Sequence, residues 1–373
     1  MRKAMKLEPF KEVLKRQIPI DIGKPISMIT YHLDHPKNCG DPWIGAYSKY
    51  GFWYKFSFGT NNDYEKVVAR AYESDSYKLD YNSLNVWQTI PSCDYRFIIA
   101  KNQSDEPVGS IVIAYCHDVT VIGVYYVIEE YRHSGIGSKL FDEALRNVNQ
   151  RQTVIFHSMS HLANKCHRFG LVTTFSQQWK FATYEISNPS AFPTLQNEKF
   201  TIIRFSNLSE VELIALLKYD SNVTHLKRNV WLKEWLKQKN YNTYVAFQQD
   251  EVIGYGCSRE TAGGYVLPIL VGPLYADNFE VASALLYAIL EKYYNPDDDY
   301  DWDPDIFAIY RRNVYFVVPD ENIQMIELMK KLKGETGILR KERLCYITQT
   351  TNTLPNVDFS KIFSVSDMHM SVI

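Results

Sequence analysis

No run of about twenty consecutive apolar residues, the length a helix needs to cross a membrane, occurs in this 373-residue chain. Its opening, Met-Arg-Lys-Ala-Met-Lys-Leu-Glu, lacks the apolar stretch of a secretory leader. Cysteine is scarce: the six residues are scattered singly with no Cys-x-x-Cys pair, so a reduced intracellular compartment is expected. Excess charge is missing too. Lys and Arg total 41 against 43 Asp and Glu, a net charge of −2, which offers no general attraction to nucleic acid or an anionic membrane. Cytoplasm is the default reading, with the nucleus left open. What remains is a soluble globular class of ordinary apolar content, 46%, made aromatic-rich by 27 tyrosines. The length suggests two domains, each large enough to bury a core.

Residues 126–140 carry the most information. A nearly continuous apolar strand, residues 119–128, is of the type covered on both faces, and it runs into Tyr-Arg-His-Ser-Gly-Ile-Gly. An amphipathic helix follows at once: Phe141, Ala144, Leu145 and Val148 fall at i, i+3, i+4 and i+7, with Lys139, Asp142, Glu143 and Arg146 facing elsewhere. The first turn of a helix leaves N–H groups without partners and carries the positive end of the dipole, which together suit an anion. Gly135 and Gly137 let the backbone approach such an anion closely, and Arg132 adds formal charge at the mouth. The sequence reads as a cradle for a pyrophosphate. A dinucleotide fingerprint fails because Leu140 stands where its third glycine belongs, and a Walker A loop fails because Ser138 separates Gly137 from Lys139. A plain strand-to-helix bend is the bland alternative.

Residues 125–140 resemble motif A of the GCN5-related N-acetyltransferase (GNAT) superfamily, whose usual form is Leu-Tyr-Val-x-Pro-x-Tyr-Arg-x-x-Gly-x-Gly, with Glu129 here in place of the proline. The resemblance implies acetyl-CoA or another acyl-CoA as co-substrate. Its pyrophosphate would lie on the N–H groups of His133, Ser134, Gly135, Ile136, Gly137 and Ser138 beside Arg132. The main chain of Tyr126 and Val127 would pair with the pantetheine arm, and Asn164 would be a further contact. The flanks run in family order. A strand is expected at 52–59, a helix at 63–75, a hairpin at 95–101 and 108–116, a strand at 153–159, a helix at 164–170, and the last strands within 173–186.

Prolines and small polar residues at 187–194 mark a linker, after which the order of elements repeats. Strands are expected at 200–205, 244–248, 252–257, 265–271, 314–318 and 344–348, with helices at 210–218, 230–239, around 282–289 and around 325–332. This half resembles the C-terminal domain of two-domain acetyltransferases carrying Gly-Pro-Leu-Tyr-Ala-Asp, here 272–277, and Pro-Asp-Glu-Asn, here 319–322. The implied fold is α/β (α+β), with two tandem GNAT-like domains, each a mixed central sheet flanked by helices. The division is an extension at 1–50, the acetyl-CoA domain at 51–186, a linker at 187–198, the second domain at 199–350 and a tail at 351–373. At the place of the phosphate turn the second unit offers Pro273, which lacks an N–H, and Asp277, read as a helix N-cap, so one cofactor per chain is expected.

The function expected is transfer of an acetyl group to an amine of a small molecule by direct attack in a ternary complex. The rival is a CoA-binding protein of weak or no catalysis, acting as regulator or scaffold. Many members carry a glutamate early on the motif A strand, yet Val-Thr-Val-Ile-Gly at 119–123 has no carboxylate. Where many members have a tyrosine as general acid, this chain has Cys166, a candidate acid or simply a small buried residue. His157, His161 and His167 cluster near the end of the first unit. His157 and His167 are candidates for the base or the acceptor pocket, and no spacing supports a metal site. The aspartate-dense run at 297–305 lacks the glycine and glutamate of a calcium loop. It reads as a solvated loop, or more sharply as an attractor for a cationic acceptor. Acceptor identity, acyl preference and oligomeric state stay open.

Overall fold

The computed structural model describes residues 30–32, 42–75, 77–89, 95–116, 119–146, 148, 152–173, 176–189, 199–263, 267–294, 313–320 and 322–373. The first unit begins with β1 (Thr30–His32), β2 (Pro42–Tyr47) and β3 (Trp53–Phe58), then α1 (Asn61–Asp75) and α2 (Ser83–Thr89). It continues through β4 (Tyr95–Lys101), β5 (Pro107–Cys116), β6 (Val119–Val127), α3 (Ile136–Leu145), β7 (Thr153–Met159), the single turn α4 (Ala163–Cys166), β8 (Val172–Thr173) and β9 (Lys180–Ser187). The second unit comprises β10 (Thr201–Arg204), α5 (Glu210–Thr224), α6 (Asn229–Leu236), β11 (Asn242–Gln248), β12 (Glu251–Glu260), β13 (Ile269–Ala276) and α7 (Phe279–Tyr294). It ends with β14 (Val314–Pro319), α8 (Ile323–Lys333), β15 (Ile338–Thr350) and β16 (Ile362–Ser364). No helix among the described residues is long and apolar enough to cross a membrane.

Local chemistry explains the helix starts. Ser209 and Glu212 form a capping box at α5, with the Glu212 amide donating to the Ser209 hydroxyl and the Ser209 amide to the Glu212 carboxylate. Asn322 caps α8 by accepting from the Met325 amide at 2.8 Å. Asp277 does not cap α7: its carboxylate pairs with Lys361 at 2.8 Å and accepts from Tyr219, and Asn278 accepts from the Val281 amide instead. The segment 272–276, expected as the counterpart of the phosphate turn, is strand: its side chains are all buried within β13. In α3 the helix ends at Leu145, before Val148, and Glu143 is buried beside Arg146 rather than facing solvent.

One mixed sheet runs β1-β2-β3-β4-β5-β6-β7-β15-β9-β14-β13-β12-β11-β10. Among the described residues two neighbouring pairs are parallel, β6 with β7 and β13 with β14, and the others are antiparallel. The middle of this order is exchanged between the halves. The last strand of the first half, β9, lies between β14 and β15 of the second, while β15 pairs with β7 of the first, with Tyr346 opposite Met159. The linker at 187–198 therefore separates the halves along the chain but not in the sheet.

Each parallel pair opens into a gap. β6 and β7 pair from Val119 with Thr153 to Ile122 with Phe156 and no further; β13 and β14 stop at Val271 with Phe316. In the second unit the gap is filled by the chain itself. β16 pairs with β13, Val365 donates to the Val317 carbonyl, and a Cβ on Gly272 would meet the Val365 oxygen at 1.9 Å. Residues 365–373 then cross to the first unit, where the Val124 amide donates to the His369 carbonyl at 3.0 Å. Set apart in the sequence as a tail, this segment is built into the core: Val365, Met368, Met370, Val372 and Ile373 are buried among side chains of both halves. At about 1.5–3 kcal/mol for each large apolar side chain removed from water, the seat is strongly held.

Candidate functional site

β6 ends at Val127, a short 3-10 turn follows at Glu129–Tyr131, and α3 starts at Ile136. Between them His133 (φ 62°) and Gly135 (φ 94°) are both left-handed, a conformation glycine adopts freely and histidine at a cost. Such alternation turns successive amides toward one concavity, an anion nest. The first helical bond of α3 runs from the Lys139 amide to the Gly135 carbonyl, so the amides of Gly137 and Ser138 precede the helix's own bonding. Gly137 is also sterically required, because a Cβ there would meet the Tyr125 hydroxyl at 2.5 Å.

The turn is braced from outside. Ser134 is buried, its hydroxyl donates to the Tyr131 carbonyl at 2.5 Å, and its own carbonyl accepts from the Lys49 amide at 3.1 Å. Arg132 donates to the Val127 carbonyl at 2.9 Å and forms an ion pair with Asp75 at the end of α1. Expected to add formal charge at the mouth, it also ties the turn to α1 and β6. Ile136 is buried in the apolar layer beneath, and Tyr126 is buried with its hydroxyl donating to the Arg70 carbonyl at 3.3 Å.

The other sequence candidates separate. His157 is 3% exposed, with Nδ1 at 2.9 Å from the Thr348 hydroxyl and Nε2 at 2.7 Å from the Val372 carbonyl. Burial lowers its pKa to about 4, so it is neutral at pH 7. Both nitrogens are taken by the protein, the geometry of a strut that holds the tail. Cys166 is buried within the cluster around Phe141 and Phe156. Its thiol points at the Leu162 carbonyl, and burial pushes its pKa up to about 11. His161, Asn164 and His167 are exposed on the short helical stretch after β7, with His167 3.2 Å from the Thr173 hydroxyl. The three histidines therefore do not converge. Among the described residues no group of three or more His, Cys, Asp or Glu side chains could hold a metal ion. The aspartate run at 297–305 lies outside the described residues.

The structure also brings in residues the sequence did not single out. Tyr77, after α1, stacks on His369 with centroids 4.8 Å apart, and the Tyr346 hydroxyl lies 3.2 Å from His369 Nε2. Asp367 bonds the His369 amide and pairs with Arg259, which is fully buried and also pairs with Asp80. Tail, β12 and the α1–α2 loop thus meet beside the gap between β6 and β7.

Residues 63–171, which contain the turn, match the Acetyltransferase (GNAT) family, and residues 216–296 match the Acetyltransferase (GNAT) domain. The chain is a GNAT-superfamily protein. Membership places this tandem GNAT protein among acyl-CoA-dependent N-acyltransferases, whose members use acetyl-CoA or another acyl-CoA. Its fold is similar to that of a proposed acetyltransferase from Pyrococcus horikoshii, at 16% identity and a TM-score of 0.58, covering 91% of this chain and 99% of that one. It is also similar to a tandem GNAT protein from the clavulanic acid biosynthesis pathway, at 14% identity and a TM-score of 0.57, covering 80% and 98%. An uncharacterized Caenorhabditis elegans protein is 23% identical over 220 residues, which is 57% of this chain and 68% of that one.

Proposed function

We propose that the first unit binds acyl-CoA on the turn from Arg132 to Ser138 and transfers the acyl group, most simply acetyl, to an amine of a small molecule. The observation that carries this reading is the left-handed pair His133 and Gly135 leading into the open amides at the start of α3. The residues fit the ligand: glycine takes the left-handed turn at position 135 without strain, and the Gly137 and Ser138 amides precede the helix's own bonds. Pantetheine would lie along the end of β6 in the gap toward β7. There acyl carbon and amine meet by positioning, with no covalent enzyme intermediate needed. The second unit would hold no CoA, because β16 and Val365 occupy its gap.

A second reading, CoA binding without catalysis, is favoured by one observation: the position of the family's acid is a buried thiol bonded to a backbone carbonyl. Calorimetry with CoA and acetyl-CoA consumption across an amine panel, comparing wild type with Gly135→Glu, separate the possibilities. Tight binding with turnover, both lost in the variant, supports transfer; binding with a silent panel supports the second reading. Equal CoA affinity in wild type and variant would refute both.

A further inference from the structure

Resting on the acyl-transfer reading above, we propose that His369, delivered by the end of the chain, is the proton acceptor for the attacking amine. Three observations converge on it. Its carbonyl takes the Val124 amide, two residues past Ile122, where the β6–β7 pairing ends, which seats it where the two strands part. The seat is shaped for it: a Cβ on Gly123 would meet the His369 oxygen at 1.7 Å. The residue is half-buried, its ring between Tyr77, whose hydroxyl reaches the sulfur of Met159, and Tyr346, which pairs with Met159 across β15 and β7. Tyr77 also packs edge-on against Tyr126 of β6, with ring centroids 5.8 Å apart. The imidazole thus sits in a cluster that spans β6 and the end of β7, and on the transfer reading the acyl carbon would stand beside it.

The chemistry follows from the bonding. The role requires the tautomer in which Nε2–H donates to the Tyr346 hydroxyl oxygen, 3.2 Å away, which leaves the lone pair on Nδ1 to accept a proton. As the amine nitrogen bonds the thioester carbon, its proton passes to Nδ1. The carbon–sulfur bond breaks with its electron pair leaving on sulfur, and the imidazolium returns the proton to that thiolate, giving amide and CoA thiol. The groups facing the ring are Tyr77, Tyr346, Asp367 with its partner Arg259, and His157 across β7. Burial, with Arg259, lowers the His369 pKa against the opposing pull of Asp367, leaving the ring neutral and able to accept at pH 7. His157 holds Val372 three residues further on and so fixes the same segment from behind.

The test is His369→Gln, measured with an amine that wild type acetylates. The expected result is a kcat reduced about 100-fold or more, the scale of a lost general base, and loss of the acidic limb of the pH profile, at unchanged acyl-CoA Kd and thermal midpoint. Wild-type kcat and pH profile in the variant would overturn the assignment alone. A wild type that binds CoA but turns over no amine would overturn the transfer reading and this assignment with it. Should His369→Gln fail to fold, Tyr346→Phe decides: it keeps the imidazole and removes the hydroxyl that fixes it. A several-fold fall in kcat at unchanged Kd supports the role, and unchanged kcat refutes it.

Discussion

Replacing Arg259 with alanine should cost far more stability than any surface change, and the magnitude can be worked from its partners. The guanidinium is fully buried, donating to Asp80 at 2.9 Å, to Asp367 at 2.8 Å and to the Gly272 carbonyl at 3.0 Å. It also lies 4.7 Å from the centre of the Trp235 ring. Removing it leaves two buried carboxylates without their counter-charge, which by precedent costs about 3–5 kcal/mol against about 0–1 kcal/mol for an exposed pair. Urea unfolding followed by tryptophan fluorescence reads this directly, as a lower midpoint at unchanged slope. Arg259→Met combined with Asp80→Asn and Asp367→Asn should recover most of the loss, because removing every charge leaves nothing stranded. A loss below about 1 kcal/mol in Arg259→Ala would refute the premise that this network is dry and joins the halves.

Other expectations follow from the same geometry. Gly123→Ala should push the His369 carbonyl off β6, lowering turnover while sparing CoA affinity, since the seat and the turn are separate; equal kcat would contradict this. The folded His157 has its pKa lowered from 6.5 to about 4, so the unfolded chain binds a proton that the folded chain refuses. Stability is therefore complete above pH 6.5 and falls as pH drops, with a loss from this residue of about 3 kcal/mol by pH 4, readable as a midpoint that is less acid-sensitive in His157→Gln. Asp75→Asn should release Arg132 and loosen the turn, weakening CoA binding several-fold by calorimetry. Neutralising the aspartates at 297–305 should lower kcat/KM for cationic amines and not for neutral ones if that run attracts the acceptor.

The turn was legible because its signal is local: a strand, two glycines two apart and a helix with 3.6-residue spacing all lie within one short window. Most strand and helix positions overlap the expected ones for the same reason, including β4, β5 and β7, each built on a short apolar run. The strand expected at 265–271, however, is found at Ile269–Ala276, and the helix expected at 164–170 is a single turn, Ala163–Cys166, with a 3-10 turn after it. The departures come from distance along the chain. Asn278 takes the Val281 amide while the Asp277 carboxylate is held by Tyr219 and by Lys361, both distant in the chain. Gly-Pro-Leu-Tyr-Ala, at the place of the phosphate turn in the order of elements, is strand, because β12 on one side and β14 or β16 on the other bury it. The grouping of Tyr77, Tyr346 and His369 had no signal at all. Tyr77 precedes the other two by hundreds of positions, Tyr346 and His369 are 23 apart, and the passage of the tail over Gly272 and Gly123 brings them together.

The exchange of β9 and β15 has a consequence for how such a molecule can be divided. A fragment cut at the linker would carry β9 with no β14 to lie against, and a β7 whose outer edge is bare. Each half would expose the row of unpaired amides and carbonyls that invites aggregation. Neither piece is a freestanding module that could be shuffled into another polypeptide; recombination could transmit the pair intact, or not usefully at all.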